Sequence, residues 1–144
     1  MTTHQPTPPG PLAGIRVLET ATLLPGPWAG RILAELGAEV IKIEPPGGDP
    51  ARHYPPHRGG VGHLHLLLNG GKKSVVLDLK TPEDRDAFLD LARTADVLIE
   101  SWRPGVAERL GVGYGVLAAL NPRLIACSIT GWGHEGPRRL LPGH

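Results

Sequence analysis

Residues 15–44 read IRVLETATLLPGPWAGRILAELGAEVIKIE, and this stretch decides the fold. Ile15-Arg16-Val17-Leu18 is a short run of β-type residues that opens into a loop, residues 20–26, ending in Gly and Pro. Pro27 suits the first turn of a helix, where the N–H it lacks would have no partner. Residues 28–36 then read as that helix: Ile32, Leu33 and Leu36 share a face, and Gly37 stands where a helix stops. Glu39-Val40-Ile41-Lys42-Ile43-Glu44 returns to alternating apolar residues. Strand, helix and strand in so short a span make a β-α-β unit, and its two strands are expected to lie parallel.

The same alternation continues outward. Residues 45–62 are rich in Pro and Gly and poor in apolar side chains, which predicts a long surface excursion lying over a ligand. Residues 63–69 suit a short helix or strand, and Gly70-Gly71-Lys72-Lys73 a turn. A strand is expected over residues 74–79. Thr81-Pro82-Glu83-Asp84 then combines an N-cap, a Pro at the first helical position and early acids, starting a helix through Leu91. Further strands are expected at 96–100 and 124–129, further helices at 106–110 and 114–120, and a Gly-rich loop at 130–137. The fold class is therefore α/β, a parallel sheet with flanking helices. Residues 11–144 form one domain, and residues 1–10 are expected to be a disordered tail.

Fifteen basic and fourteen acidic residues leave a formal net charge of +1, so no long-range field attracts nucleic acid or an anionic membrane. No apolar run approaches the roughly 20 residues that span a bilayer, and the first ten residues lack the apolar stretch of a signal peptide. A soluble, cytoplasmic protein is expected. The single Cys127 sits among apolar residues in a strand and is expected to be buried and inert. Seven histidines include no grouping with matching Cys or carboxylate ligands, so no metal is expected.

Three motifs invite a nucleotide. The first β-α-β unit ends in Glu44, where a dinucleotide-binding fold keeps its ribose-binding acid, but the loop offers only Gly26 and Gly30 between prolines, and Glu44 fits a solvated strand end as well. Gly131-Trp132-Gly133-His134-Glu135-Gly136 has the glycine spacing but is followed by Pro137, Arg138 and Arg139 instead of a helix. Its glycines could let backbone N–H groups approach a thioester oxygen, or simply make a tight loop with positive φ. Lys72, Lys73, Lys80, Arg103 and Arg109 all stand at the ends of core elements, where cations can hold phosphates or be solvated surface charges.

Taken together, several blocks resemble the family III coenzyme A (CoA) transferases, the CaiB–BaiF family that includes the α-methylacyl-CoA racemases. They are Pro11-Leu12-Ala13-Gly14-Ile15-Arg16-Val17-Leu18-Glu19, Gly26-Pro27, Leu36-Gly37-Ala38-Glu39-Val40-Ile41-Lys42-Ile43-Glu44-Pro45-Pro46-Gly47-Gly48-Asp49-Pro50, Asn69-Gly70-Gly71-Lys72-Lys73-Ser74, Ala95-Asp96-Val97-Leu98-Ile99-Glu100, Trp102-Arg103-Pro104-Gly105 and Asn121-Pro122-Arg123-Leu124-Ile125. The resemblance implies a Rossmann-like large domain, incomplete in this chain, an interlocked homodimer, and a CoA site at the ends of the strands, surrounded by Leu24, Leu77, Lys80, Ser101, Trp102, Arg103 and Arg109. The cations would meet phosphates and Trp102 would offer its face to adenine. Ser101 and Trp102 stand where many relatives have Asn and Phe.

No permanently bound cofactor is implied; CoA and acyl-CoA are substrates, with a carboxylic acid as the other partner. In the transferase branch, an Asp carboxylate attacks the acyl-CoA to form a mixed anhydride, and CoA passes to another acid. That Asp is expected beyond His144, making this chain an N-terminal fragment without activity alone. In the racemase branch a His and an Asp act as paired acid and base at the α-carbon, and His144 would be that His. A third reading is a module that binds CoA or a dinucleotide without catalysis. Transferase is the broader class and is favoured, with racemase beside it.

Overall fold

The computed structural model describes residues 10–143. The expected tail therefore falls outside the described residues except for Gly10, whose carbonyl accepts from Ala13 N–H at 3.0 Å, and His144 falls outside them too. Five strands make one sheet: β1 (Arg16–Glu19), β2 (Glu39–Glu44), β5 (Lys73–Val76), β6 (Val97–Glu100) and β7 (Ile125–Ser128). Their order is β5-β2-β1-β6-β7, and every neighbouring pair is parallel. Chain order thus runs outward from β1 to one edge and then from β6 to the other, the doubly wound pattern of a Rossmann-like fold. A short antiparallel hairpin of β3 (His57–Arg58) and β4 (Val61–Gly62) stands apart from it.

Both faces of the central strands β1, β2 and β6 are covered, so their successive residues are buried on opposite sides. Val17, Val40 and Ile99 pack with Ala21 and Ala38 against Ala29, Leu33 and Ala34 of α1 (Pro25–Glu35). Leu18, Ile43 and Leu98 face the other way, onto Phe88 and Ala92 of α3 (Pro82–Arg93) and Leu117 of α5 (Tyr114–Leu120). The two smaller helices, α2 (His63–Leu68) and α4 (Val106–Arg109), follow the hairpin and β6 respectively.

Several boundaries differ from the sequence expectation for local reasons. Helix α1 begins at Pro25, three residues early, because both Pro25 and Pro27 fit a first turn whose N–H groups have no acceptor within the helix. Strand β5 stops at Val76: the Asp78 N–H donates to Asp84 Oδ2 at 2.7 Å, and Leu77 and Leu79 turn into the core. Cys127 is exposed, not buried, because β7 is the outermost strand and all four of its residues are exposed. Among the described residues no helix is long and apolar enough to cross a membrane, and no three His, Cys, Asp or Glu side chains gather as a metal site.

Thr81 caps α3 as its spacing predicts, its hydroxyl accepting from Asp84 N–H at 3.3 Å. Thr81→Ala is expected to cost about 1 kcal/mol, read as a lower urea midpoint at unchanged m-value, while Thr81→Ser keeps the cap.

Candidate functional site

In a doubly wound sheet, the loops after the two central strands diverge to opposite faces and leave a crevice at the carboxyl edge. Here those strands are β1 and β6. Two hollows open along this edge, and Trp102, two residues past β6, forms a wall of both. The larger, of about 380 Å³, lies between β6, β7, α4 and α5 and is walled by Glu100, Arg103, Tyr114, Ser128 and His134 over a floor of Leu98, Val112 and Leu117. The smaller, of about 160 Å³, lies across the ends of β1 and β2, with Thr20, Thr22, Pro45, Leu77, Lys80 and Leu110 among its walls.

The residues implied to surround CoA are partly gathered here. Leu77, Lys80 and Trp102 share the smaller hollow, and Trp102 and Arg103 share the larger. Arg109 stands outside both walls but folds back over Gly105 at the rim of the larger, its Nη1 3.5 Å from where a Gly105 side chain would begin. Ser101 faces the other way, its hydroxyl accepting from Thr22 N–H at 3.1 Å and so tying the β1 loop to the β6 loop. Leu24 is exposed on the β1 loop and lines neither hollow. Leu110 and Thr22 are wall residues that sequence reasoning did not single out.

Beneath the edge lies a buried ionic cluster that the sequence reading missed. Lys42 Nζ lies 2.9 Å from Glu19 Oε1 and donates to Ala21 O at 2.8 Å. Lys72 Nζ donates to Glu19 Oε2 at 2.6 Å and to Pro27 O at 2.8 Å. Lys72 is therefore not a phosphate ligand: its side chain is 1% exposed and its charge is committed to Glu19. Burial pulls the Lys72 ammonium below the ordinary lysine range, against the opposing hydrogen bond that it donates to Glu19. Lys73 is exposed and pairs with Glu39.

Asp49 and Glu44 extend the cluster. Asp49 Oδ1 accepts from Leu23 N–H at 3.3 Å and Ala51 N–H at 2.9 Å. Its Oδ2 lies 2.9 Å from Lys42 Nζ, a charge contact that is off the angle of a hydrogen bond. Glu44 borders the smaller hollow but is 1% exposed, so it is not a solvated strand end, and its carboxylate oxygens are committed within the protein instead of being free for a ribose. Its carboxylate takes Arg52 Nε and Nη2, both at 2.7 Å, Ser74 Oγ at 2.6 Å and Asp49 N–H at 2.9 Å. Gly48, at φ +82°, makes the reversal that brings Asp49 under the edge, and a Cβ there would stand 2.7 Å from Arg52 Cδ. The start of the excursion at 45–62 is therefore anchored to the sheet, and only Pro45 of it lines the smaller hollow. Gly30 lets α1 settle over the cluster, since a Cβ at this position would stand 1.8 Å from Glu19 Oε2.

In the Gly-rich loop one central N–H is already engaged within the chain. Gly133, at φ +80°, donates its N–H to Thr130 Oγ1 at 2.7 Å, the bond of a tight turn. Beside it His134 Nε2 and Ser128 Oγ lie 2.6 Å apart at the wall of the larger hollow.

Residues 12–144 match the profile of CoA-transferase family III. Acetyl-CoA:oxalate CoA-transferase of Acetobacter aceti is 47% identical over 138 residues, which cover 95% of this chain and 36% of that protein. Succinate–glutarate CoA-transferase of Agrobacterium fabrum is 46% identical, covering 99% of this chain and 38% of its own length. A CAIB/BAIF family protein from Brucella suis, solved by crystallography, superposes with a TM-score of 0.91 at 41% identity over 94% of this chain and 37% of that one. The chain thus spans well under half the length of these relatives. A doubly wound parallel sheet, and a match that begins at Leu12 and runs through every element described, make the assignment: this chain belongs to CoA-transferase family III.

Proposed function

We propose that this chain binds the CoA part of an acyl-CoA thioester at the carboxyl edge of its sheet, and serves a CoA-transferase that moves CoA between carboxylic acids. The observation that carries the reading is Trp102, standing between two hollows whose outer walls hold Lys80 and Arg103. An aromatic face flanked by cations suits adenine joined to phosphates. The transferase names of the relatives favour transfer over racemisation. Asp49, whose carboxylate accepts from the β1 loop at Leu23 N–H, is buried and paired with Lys42. The relatives are more than twice as long as this chain, and we assign the attacking carboxylate, and an interlocked homodimer, to the longer protein.

Calorimetric titration with CoA, acetyl-CoA and NAD tests this. CoA and acetyl-CoA are expected to bind and NAD to bind more weakly. Trp102→Ala is expected to weaken CoA about tenfold, the loss that follows removal of a base-stacking aromatic. Tighter binding of NAD than of CoA would overturn the reading.

A further inference from the structure

Leu23 is the one non-glycine residue with positive φ among those described, at +65°. A branched side chain is held in the left-handed region only where its surroundings over-determine the backbone. The grip on this loop is visible on both sides of the strained residue. Leu23 N–H donates to Asp49 Oδ1, while two residues earlier Ala21 O accepts from Lys42 Nζ, and Asp49 Oδ2 and Lys42 Nζ are themselves 2.9 Å apart. Between them Thr22 N–H is held by Ser101 Oγ. Three consecutive residues are thus tied to β2, to the turn after it and to the segment after β6.

We propose that Asp49 is a positioning residue, which with Lys42 holds residues 20–24 in a preformed turn and so fixes Thr20 and Thr22 as the wall of the smaller hollow. A ligand entering that hollow meets a loop that is already ordered, and the entropy of ordering it is not charged against binding. The inference rests on the reading of this edge as the CoA site. It adds a role for Asp49 that lies beneath the site, with no contact to the ligand. Buried Asp49 faces Lys42 from β2, Arg52 and Glu44 from its own turn and strand, and the Leu23 N–H from the β1 loop.

The test compares the protein with its Asp49→Asn, Leu23→Gly and doubly substituted forms. Asp49→Asn keeps the shape and one acceptor oxygen but discharges the contact to Lys42. Amide hydrogen exchange is expected to quicken about tenfold at residues 21–24, with protection in α3 and β6 retained, and CoA affinity to fall about tenfold. Leu23→Gly alone, which removes the left-handed strain while the grip remains, is expected to change affinity by less than about twofold. Added to Asp49→Asn, it is expected to recover most of the lost affinity, because a glycine enters the turn without being forced there. A merely structural role would leave the two effects additive. Unchanged exchange at residues 21–24 in Asp49→Asn, or additive losses of affinity, would overturn the proposal. Failure of the unsubstituted protein to bind CoA would sink the functional reading alone, because the exchange measurement judges the loop without any ligand. Should Asp49→Asn not fold, Ser101→Ala releases only the Thr22 N–H: faster exchange at Thr22 supports the three-point grip, and unchanged exchange refutes it.

Discussion

Glu19→Gln is expected to remove about 3–5 kcal/mol of folding stability, the cost of taking the counter-charge from buried Lys72 and leaving buried Lys42 with Asp49 alone. Glu19 is fully buried, with one carboxylate oxygen on Lys42 and the other on Lys72. Glutamine fills the same volume, so no cavity accompanies the substitution and the loss reports the charge alone. Its amide can offer one oxygen to one lysine, and its NH₂ group then faces the other. Against a total of about 5–15 kcal/mol for a folded domain, such a loss leaves a marginal protein. Urea titration at pH 7 measures it. Glu39→Gln is the control: Glu39 joins Arg16 and Lys73 near the surface, where an ion pair contributes about 1 kcal/mol or less. Equal effects at the two positions would show that the buried cluster has no special hold on the fold.

The Glu19→Gln form also has a signature in pH. Burial already lowers Lys72 from the ordinary lysine value, and Glu19 opposes that shift. Without Glu19 the folded state binds the Lys72 proton still more weakly, while the unfolded chain keeps its ordinary affinity. Between the folded and unfolded pKa values the unfolded state then holds more protons, so stability rises with pH. The variant is expected to recover part of its loss toward pH 10.

That cluster also shows what the sequence could and could not disclose. The strands, the covering helices and the Thr81 cap were legible because apolar periodicity and capping chemistry act locally, within a few residues of where they are read. The cluster was legible in part: Val17 and Val40 point at α1, so Glu19, Lys42 and Glu44, two or four positions on, must point there as well. Charges on a buried face need partners, and that alternation could have flagged them. What it could not provide was Asp49 and Lys72 as the partners, since these reach the cluster from turns whose geometry depends on left-handed glycines. Cys127 failed for the opposite reason. Its neighbours Ile125 and Ala126 read as core, but an edge strand is buried only if something lies over it, and the period of a strand carries no such information. Of the residues lining the two hollows, Trp102 was singled out through family resemblance and Lys80 and Arg103 also as cations at element ends, whereas Thr22 and Leu110 enter the walls through loop and helix placement alone.

Acid is expected to weaken the fold by about 3 kcal/mol through one group, Glu44. Burial acts to raise its pKa; the Arg52 guanidinium, the Ser74 hydroxyl and the Asp49 N–H outweigh it and hold the carboxyl at about 2, against 4.5 for a free glutamate. A depressed carboxyl pKa means that the unfolded chain takes up the proton first as pH falls. Stability from Glu44 is thus fully present above pH 4.5, declines through the interval to about 2, and is gone below it, where both states are protonated. His65 acts in the same direction but at higher pH: burial, then the Arg52 charge, lowers its pKa below 6.5, so the unfolded chain begins to outcompete it for protons near that value. Subtracting the unfolding free energy of Glu44→Gln from that of the unsubstituted protein at each pH cancels the His65 contribution except for the part the Glu44 charge itself supplies, which raises the His65 pKa and acts above the Glu44 interval. The difference is expected to fall by about 3 kcal/mol between pH 4.5 and 2. A difference that stays constant to pH 2 would mean that Arg52 and Ser74 do not hold the carboxylate in the folded protein, and with it the anchoring of the Gly48-Asp49 turn beneath the sheet edge would fail.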